Sequence, residues 1–273
     1  MVGIVTDSAA SLPRELLSEL AIEVVPLYLT FGDRTLRDGV DVVDFYDRLR
    51  RERDAVRTAT PSPGDFLQAY DRVEADELVC VTVASSVSAV HQAALLAAEG
   101  CRKAVRVVDS GSASMGEGFA ALAAARAADA GAGLEDAAAA AERVAARTRL
   151  VATIDTFEYL LRSGRVHRLL AFAASTLRIK PVFEMAKGEI GPIARPRTRR
   201  RALDRVAAEA TGDLEGSRAH LAAFHADAEE EARALFDRVA DRCEVVERHL
   251  VEFTPAMGAH TGPGVVGLAY YRD

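Results

Sequence analysis

Three short polar segments, far apart in the chain, carry the residues whose types and spacing point most clearly to chemistry. Each segment combines hydroxyl donors or a histidine with glycine or proline, the residues that set unusual backbone geometry. A buried anion is stable only when several N–H and O–H donors converge on it. The segments therefore predict a socket for one small acidic group, formed by residues 58–63 (Thr-Ala-Thr-Pro-Ser-Pro), 85–88 (Ser-Ser-Val-Ser) and 258–264 (Gly-Ala-His-Thr-Gly-Pro-Gly).

The first two segments lie where parallel α/β units bind their ligands. Residues 85–88 follow a predicted strand at 78–82 and precede a predicted helix at 90–99, which places Ser88 near a helix N-terminus. N–H groups and the helix dipole favour an anion there, at the carboxyl ends of the strands. Serine, threonine and proline are also the ordinary residues of helix-capping turns. From spacing alone, a capping role stays open for both segments.

The third segment predicts a tight loop around His260, in front of a closing strand, and favours a donor to a ligand over a structural histidine. Ser88 and His260 would supply the nucleophile and base of a serine hydrolase, but no G-x-S-x-G elbow occurs. Residues 109–116 resemble a phosphate cradle without the Walker lysine, and no H-E-x-x-H spacing predicts a metal. The remaining histidines are scattered singly. Binding is therefore favoured over catalysis, with no cofactor and no metal.

Composition excludes several classes of protein. The chain has 273 residues, 49% of them hydrophobic, enough for two cores. Its net charge of −7 argues against nucleic-acid binding. No apolar run approaches the ~20 residues that span a bilayer, and the N-terminus lacks the basic region of a signal peptide. Three isolated cysteines suggest neither zinc nor disulfides. We expect a soluble, cytoplasmic protein without a transmembrane segment.

The pattern of apolar segments predicts an α/β protein of two domains. The first half alternates strands and helices, as in a parallel sheet, and residues 113–146 predict two helices broken at 131–133. Past residue ~160 the predicted strands and helices no longer alternate regularly, and the first predicted element is a β-hairpin at 182–190. We therefore divide the chain into an N-terminal domain, 1–160, and a C-terminal domain, 161–273. Strands are predicted at 2–6, 22–30, 78–82, 104–108, 150–154 (resuming the first sheet), 220–224, 245–253 and 267–271, and C-terminal helices at 202–210 and 229–240.

Basic residues are concentrated at one place in this acidic chain. Residues 195–201 hold five arginines in seven positions. A solvated helix start explains them as readily as docking to an acidic partner or to phosphate. The same two explanations, a solvated side chain or contact with a partner or phosphate, apply to Arg165.

Taken in order, the motifs of the whole chain resemble the DegV family, and within it the fatty-acid-binding B subunits of bacterial fatty acid kinase. The resemblance implies a two-domain fold, with an N-terminal parallel-sheet domain, a C-terminal mixed α/β domain and one long-chain fatty acid buried between them. It also implies a non-catalytic role, since a separate kinase subunit uses ATP to make the acyl phosphate. The matching motifs lie at residues 5–8, 25–27, 58–66, 85–88, 108–116, 155–165, 179–181, 197–199 and 260–264.

The resemblance assigns roles to individual residues of this chain. By position, Thr58 and Ser88 match hydroxyl donors to the fatty-acid carboxylate, the Ala89 N–H replaces a glycine amide, and His260 with Thr261 lies near the same group. Arg165, Arg197 and Arg199 match basic positions that imply contact with the partner or with phosphate. Transient contact with a membrane is compatible with this role. An acyl hydrolase, another small-acid-binding module and a pure interaction module remain the alternatives.

Two departures from the family pattern fall within the predicted socket. Ala59 stands where a second serine is usual, and Ala89-Val90 replaces Gly-Thr after Ser88. Up to two hydroxyls are therefore missing, which leaves a carboxylate fewer donors.

Overall fold

Three β-sheets organise the part of the chain that the computed structural model describes, namely residues 1–41, 45–51, 56–163 and 179–273. The strands are, in chain order, β1 (Val2–Asp7), β2 (Ile22–Val25), β3 (Tyr28–Phe31), β4 (Arg34–Arg37), β5 (Arg57–Ala59), β6 (Glu77–Thr82), β7 (Ala104–Asp109), β8 (Arg149–Thr153), β9 (Val182–Ala186), β10 (Glu189–Ala194), β11 (Arg218–His225), β12 (Glu244–Glu252) and β13 (Val266–Arg272). A four-stranded parallel sheet has the order β2-β1-β6-β7. A six-stranded mixed sheet has the order β10-β9-β8-β13-β11-β12, and β4-β3-β5 form a small antiparallel sheet.

Helices form three layers around the two larger sheets. They are α1 (Arg14–Glu19), α2 (Phe45–Arg51), α3 (Pro63–Arg72), α4 (Val90–Gly100), α5 (Met115–Asp129), α6 (Leu134–Arg147), α7 (Glu158–Arg162), α8 (Arg199–Leu214), α9 (Glu229–Ala240) and α10 (Pro255–Thr261). Helices α3 and α4 cover one face of the parallel sheet, α5 and α6 lie between the two sheets, and α8 and α9 cover the mixed sheet. Within the described ranges, no helix is long and apolar enough to cross a membrane.

Alternation along the strands separates two hydrophobic cores. In β8, Leu150 and Ala152 belong to the core between the two sheets, whereas Val151 packs in the core beneath α8 and α9. Ala222 and Phe224 of β11 lie on the inner face in the same way. The mixed sheet is therefore buried on both faces, and its inner face looks towards the carboxyl ends of the parallel sheet.

Most predicted elements are confirmed, including the strands of the parallel sheet, the 182–190 hairpin and the two helices within 113–146. The prediction of one strand over 22–30 is wrong, because Pro26 separates β2 from β3 and the two pair in different sheets. The prediction that 150–154 resumes the first sheet is also wrong, since β8 pairs with β9 and β13. A domain boundary at residue 160 stays a prediction, and sheet membership changes between β7 and β8.

A buried pair of acids ties the parallel sheet to α5. The Thr6 hydroxyl donates to Glu117 (3.1 Å), and both Asp7 and Glu117 are fully buried. Burial raises the pKa of Glu117 well above its usual value, and the neighbouring Asp7 raises it further. Burial also raises the pKa of Asp7 to about 6, against the hydrogen bonds from Val83 N and Ala9 N. The pKa of Glu117 is raised more strongly than that of Asp7, so Glu117 is the member of the pair that keeps its proton to higher pH.

We predict that this pair makes the protein less stable as pH rises. Above pH 4 the unfolded carboxyls ionise first, so the folded state holds more protons and the free energy of unfolding falls with pH. Asp7 contributes between its ordinary pKa of 3.8 and about 6, and Glu117 contributes from its ordinary pKa of 4.5 upwards. Glu117→Gln should flatten the dependence between pH 5 and 8 by up to about 1.4 kcal/mol per pH unit, measured by urea unfolding. The exposed Glu99→Gln is the control, and equal slopes for the two variants would contradict the assignment.

Gly267 of β13 has no space for a side chain. A Cβ there would lie 2.6 Å from Ala152 Cβ and 2.7 Å from Val151 O, and it would also meet the Phe224 ring. Gly267→Ala should therefore destabilise the fold by about 1–3 kcal/mol through overpacking. Gly212 of α8 is exposed and has open space around it, so Gly212→Ala should stabilise by about 0.5–1 kcal/mol. Urea denaturation of both variants checks the opposite signs, and a neutral Gly267→Ala would refute the packing argument.

Candidate functional site

A cavity of about 300 Å³ lies between the carboxyl ends of the parallel strands and the inner face of the mixed sheet. Ala9, Val83 and Ala113 bound it from the loops after β1, β6 and β7. Its volume is at the lower end for a small-molecule site. The apolar wall is formed by Leu27, Leu150, Ala152, Leu160, Phe183, Met185, Ile190, Phe224, Phe253, Met257 and Val265.

The polar part of the cavity brings the three predicted segments together. Thr58 Oγ1 and His260 Nε2 lie 2.9 Å apart, although 202 positions separate them in the chain. Ser88 and Thr261 line the same cavity. The lining also includes Ala59, so one of the two departures from the family pattern places a methyl group here.

Strand β5 sets the position of the first donor, Thr58. Thr58 is held in register opposite Leu29 by the pairing of β5 with β3. Ser62, farther along the same segment, caps α3 through a capping box with Asp65. Residues 58–63 therefore fill both of the roles that spacing left open. Thr58 lines the cavity, and Ser62 caps the helix.

The loop that carries Ser88 is held at its start by Asp7. Val83 N–H and Ala9 N–H each donate to the Asp7 carboxylate at 2.9 Å. The chain then makes a tight turn in which Val87 N–H and Ser88 N–H donate to Ala84 O. Ser88 Oγ accepts a long hydrogen bond of 3.4 Å from Val90 N–H. Ala89 is the N-cap residue of α4 and is not among the described residues that line the cavity.

His260 lies in the last turn of a helix, so the prediction of a loop at this position is wrong. Helix α10 begins at Pro255, where Asp38 accepts a hydrogen bond from Ala256 N–H (2.9 Å). Burial raises the pKa of Asp38 against this bond and one from Ser8. The helix ends at Gly262, whose φ of +75° and contact with the Tyr159 ring leave no space for a side chain. Only the segment after residue 261 is a loop.

Ser86 and Thr60 also line the cavity, and analysis of the sequence did not single them out. Ser86 Oγ is buried and has no hydrogen-bond partner among the described residues. A buried hydroxyl without a partner is costly, which marks it as an additional donor to a ligand. The signal was present in the serine-rich segment 85–88, but the direction of each side chain depends on the turn.

The three arginines predicted to serve a partner lie apart from this cavity or outside the described residues. Arg199 begins α8 and pairs with Glu231 (2.6 Å) and more weakly with Asp155 (3.7 Å). Arg197 is exposed just before that helix, which Thr198 caps. Arg165 lies outside the described residues. The arginine cluster is thus the start of a helix, with Arg197 facing solvent.

Two of the scattered histidines come together at the junction of α5 and β12. His220 and His249 lie 2.7 Å and 2.9 Å from the Glu247 carboxylate, which also pairs with Arg126 of α5 (2.5 Å). Burial alone would raise the pKa of Glu247, but these three partners lower it far below its usual range. No group of three or more acidic, histidine or cysteine side chains within the described ranges is placed to hold a metal ion.

Comparison with known proteins places this architecture in a family. A family model described as "Uncharacterised protein, DegV family" matches residues 1–273. A DegV domain-containing protein of Streptomyces coelicolor is 37% identical over 272 residues, 98% of this chain and 97% of the relative.

Solved structures agree over the whole chain. A DegV family protein from Thermus thermophilus, described for its fatty acid binding, superposes with a TM-score of 0.93 at 29% identity, covering 100% of this chain and 99% of that one. DegV of Bacillus subtilis, described as a fatty acid binding protein, gives a TM-score of 0.89 at 26% identity, with coverage of 100% and 99%. The predicted α/β fold class is confirmed, and the chain belongs to the DegV family.

Proposed function

We propose that this protein binds one long-chain fatty acid in the cavity, with the acyl tail against the apolar wall and the carboxylate near Thr58, Ser88, His260 and Thr261. The observation that carries the proposal is the division of one cavity into an apolar wall and a hydroxyl-lined part centred on the Thr58–His260 contact. The fatty acid binding described for the Thermus thermophilus and Bacillus subtilis structures supports it.

The apolar wall suits an acyl chain energetically. Burial of hydrocarbon gives about 0.8 kcal/mol for each CH₂, so a C16 tail gains on the order of 10 kcal/mol before the costs of association. Phe224 and Phe253 stack with ring centroids 4.8 Å apart, which gives the wall a flat aromatic surface. The tail therefore supplies affinity, and the head group needs only one polar anchor.

The polar part of the cavity suits a carboxylate. Thr58, Ser88 and Thr261 offer hydroxyls, and Ser86 offers a further buried one. The family resemblance adds the N–H of Ala89, which lies at the N-cap of α4, outside the described lining. Hydrogen bonds to a charged group contribute about 1.5–3 kcal/mol each. Ala59 contributes only a methyl group, so this socket holds a carboxylate with fewer hydroxyls than the family pattern has.

We assign the chemistry of acyl-phosphate formation to a separate ATP-dependent kinase subunit, to which this protein presents the fatty acid. His260 Nε2 contacts Thr58, whereas a hydrolase would need the nucleophile Ser88 at that nitrogen. The exposed Arg197, near the start of α8, is a candidate contact for an acidic partner or for phosphate. Arg165 and Arg199 keep the same proposed role, Arg199 from within its ion pairs with Glu231 and Asp155.

Removal of one hydroxyl tests the binding site. Thr58→Val keeps the shape of the side chain but loses the donor, so it should weaken fatty-acid binding by roughly 10- to 150-fold. Thr30→Val on neighbouring β3, whose hydroxyl faces Thr35 outside the cavity, is the matched control and should bind normally. Fluorescent fatty-acid displacement measures both, and mass spectrometry of an organic extract should find about one fatty acid per wild-type chain.

Two results would contradict the binding proposal. Wild-type protein that carries no fatty acid and binds none when it is added would refute it. Turnover of acyl esters that disappears in Ser88→Ala would instead establish the hydrolase alternative.

The partner role is tested separately with an ATP-dependent fatty acid kinase subunit. Arg197→Ala should leave lipid content unchanged but lower acyl-phosphate formation about 2- to 10-fold at low salt, with a smaller difference at high salt because screening weakens surface contacts. Arg102→Ala, an exposed arginine after α4, is the control. Loss of lipid from Arg197→Ala would place this residue in the pocket, and unchanged turnover would leave it a solvated side chain.

A further inference from the structure

The loop that carries the cavity serines is held by a second carboxylate, that of Asp109 at the end of β7. Ser85 N–H donates to both carboxylate oxygens of Asp109 at 3.2 Å. Asp109 is half-buried and is not among the described residues that line the cavity. Its influence on a ligand in the cavity therefore has to pass through the loop.

Ser86 is the next residue of this loop and depends most directly on that contact. It lines the cavity, and its Oγ is buried without a hydrogen-bond partner among the described residues. The backbone on either side is held within the protein, since Ala84 N–H donates to Ser112 O (2.9 Å) and Val87 N–H donates to Ala84 O (3.0 Å). The position of Ser86 is thus fixed by its neighbours, while its hydroxyl stays available to a ligand.

A donor serves a ligand best when its position is fixed before the ligand arrives. Binding groups have to be held within about 0.5 Å of the productive geometry, by packing and by hydrogen bonds from the residues behind them. A turn that is free to move must instead be ordered on binding, which lowers the affinity. The contact of Asp109 with Ser85 N–H removes this freedom at the residue that precedes Ser86.

The same carboxylate holds the turn on which the β9–β10 hairpin rests. Gly111 N–H donates to Asp109 Oδ1 (2.9 Å), and Gly111 O accepts a hydrogen bond from Gly188 N–H (2.9 Å) at the tip of the hairpin. A Cβ at Gly111 would lie 2.7 Å from Gly188 N, so the two turns are in close contact. Asp109 therefore connects the polar loop with part of the apolar wall. The hairpin contributes three side chains to that wall, Phe183, Met185 and Ile190.

We propose that Asp109 is a positioning residue of the head-group site, which acts through Ser85 N–H to aim the Ser86 hydroxyl at the carboxylate of the ligand. This inference rests on the proposed function and assigns a determinant of head-group recognition outside the described lining. Asp109 Oδ1 accepts both the Ser85 and the Gly111 N–H, so loss of this oxygen releases both turns. The loss should be felt by the head group more than by the acyl tail.

Competition against a fluorescent fatty acid measures the Kd of laurate and of 1-dodecanol, which have the same chain length but different head groups. Asp109→Ala should raise the Kd of laurate about 10- to 30-fold, at the lower end of the range for one hydrogen bond to a charged group. The Kd of 1-dodecanol should rise about threefold or less, because a hydrogen bond to a neutral group contributes less. Asp41→Ala is the matched control, since Asp41 also accepts a backbone N–H, that of Arg37, but outside the described lining. It should change neither Kd.

Further variants separate positioning from a general structural role. Asp109→Asn keeps an oxygen at the place of Oδ1 and should bind laurate within about threefold of the wild type. Ser86→Ala removes the hydroxyl that Asp109 positions and should itself weaken laurate binding. Combined with Asp109→Ala, it should give a loss clearly smaller than the product of the two single losses, because both changes act on one interaction. If Asp109→Ala does not fold, Asp109→Glu, which keeps the charge but displaces the oxygens, replaces it in the same comparisons.

Each result supports or overturns the proposal. Equal losses for laurate and 1-dodecanol would give Asp109 a purely structural role and overturn it. Normal laurate binding by Asp109→Ala or by Ser86→Ala would do the same, and so would independent losses in the double variant. If the wild-type protein does not bind the alcohol, the double variant and the recovery in Asp109→Asn decide. Wild-type protein that binds neither laurate nor the fluorescent fatty acid would refute the proposed function itself.

Discussion

The site depends first on the buried carboxylate of Asp7. It accepts hydrogen bonds from Ala9 N–H and Val83 N–H, and so fixes the starts of two loops that bound the cavity. A carboxylate without a cationic partner is costly to bury, and here the proton of Glu117 offsets part of that cost. The same pair attaches α5 to β1, so the loop geometry and the packing of the middle helix layer are coupled.

The cavity forms where the two larger sheets face each other. The carboxyl ends of parallel strands gather loops with unpaired donors, and the inner face of the mixed sheet offers alternate apolar side chains such as Ala152 and Phe224. Gly267 leaves the space in which the Phe224 ring lies. The small sheet and α10 then close the polar side, where Thr58 contacts His260. The mixed sheet therefore supplies much of the apolar wall, whereas the polar side chains come from the small sheet, α10 and the loop after β6.

Local sequence predicted most strands and helices because their hydrophobic period is strong. Residues of all three polar segments line one cavity, and their role in binding stays a prediction. Local sequence failed where a long-range partner decides the outcome. Pro26 looked compatible with a continuous strand, but the two halves pair in different sheets. The Gly-Ala-His-Thr-Gly run looked like a loop, yet Asp38 and Pro255 start a helix three residues earlier. The orientation of Ser86 depends on a turn that spacing does not encode.

The described part of the cavity lining offers hydroxyl groups and one histidine as its polar side chains, and this determines how the site recognises a head group. With Ala59 in place of a hydroxyl, recognition rests on where a few hydrogens point, and the ring of His260 decides the direction of one of them. A site with a fixed arginine would hold any anion of suitable size, because its charge does not depend on the ligand. Among the described residues of this lining, hydroxyl groups surround one histidine, and such neutral groups cost less to place beside an apolar wall than a fixed charge does. The positions and directions of these hydrogen-bond donors then decide which head groups the polar part of the cavity can accept.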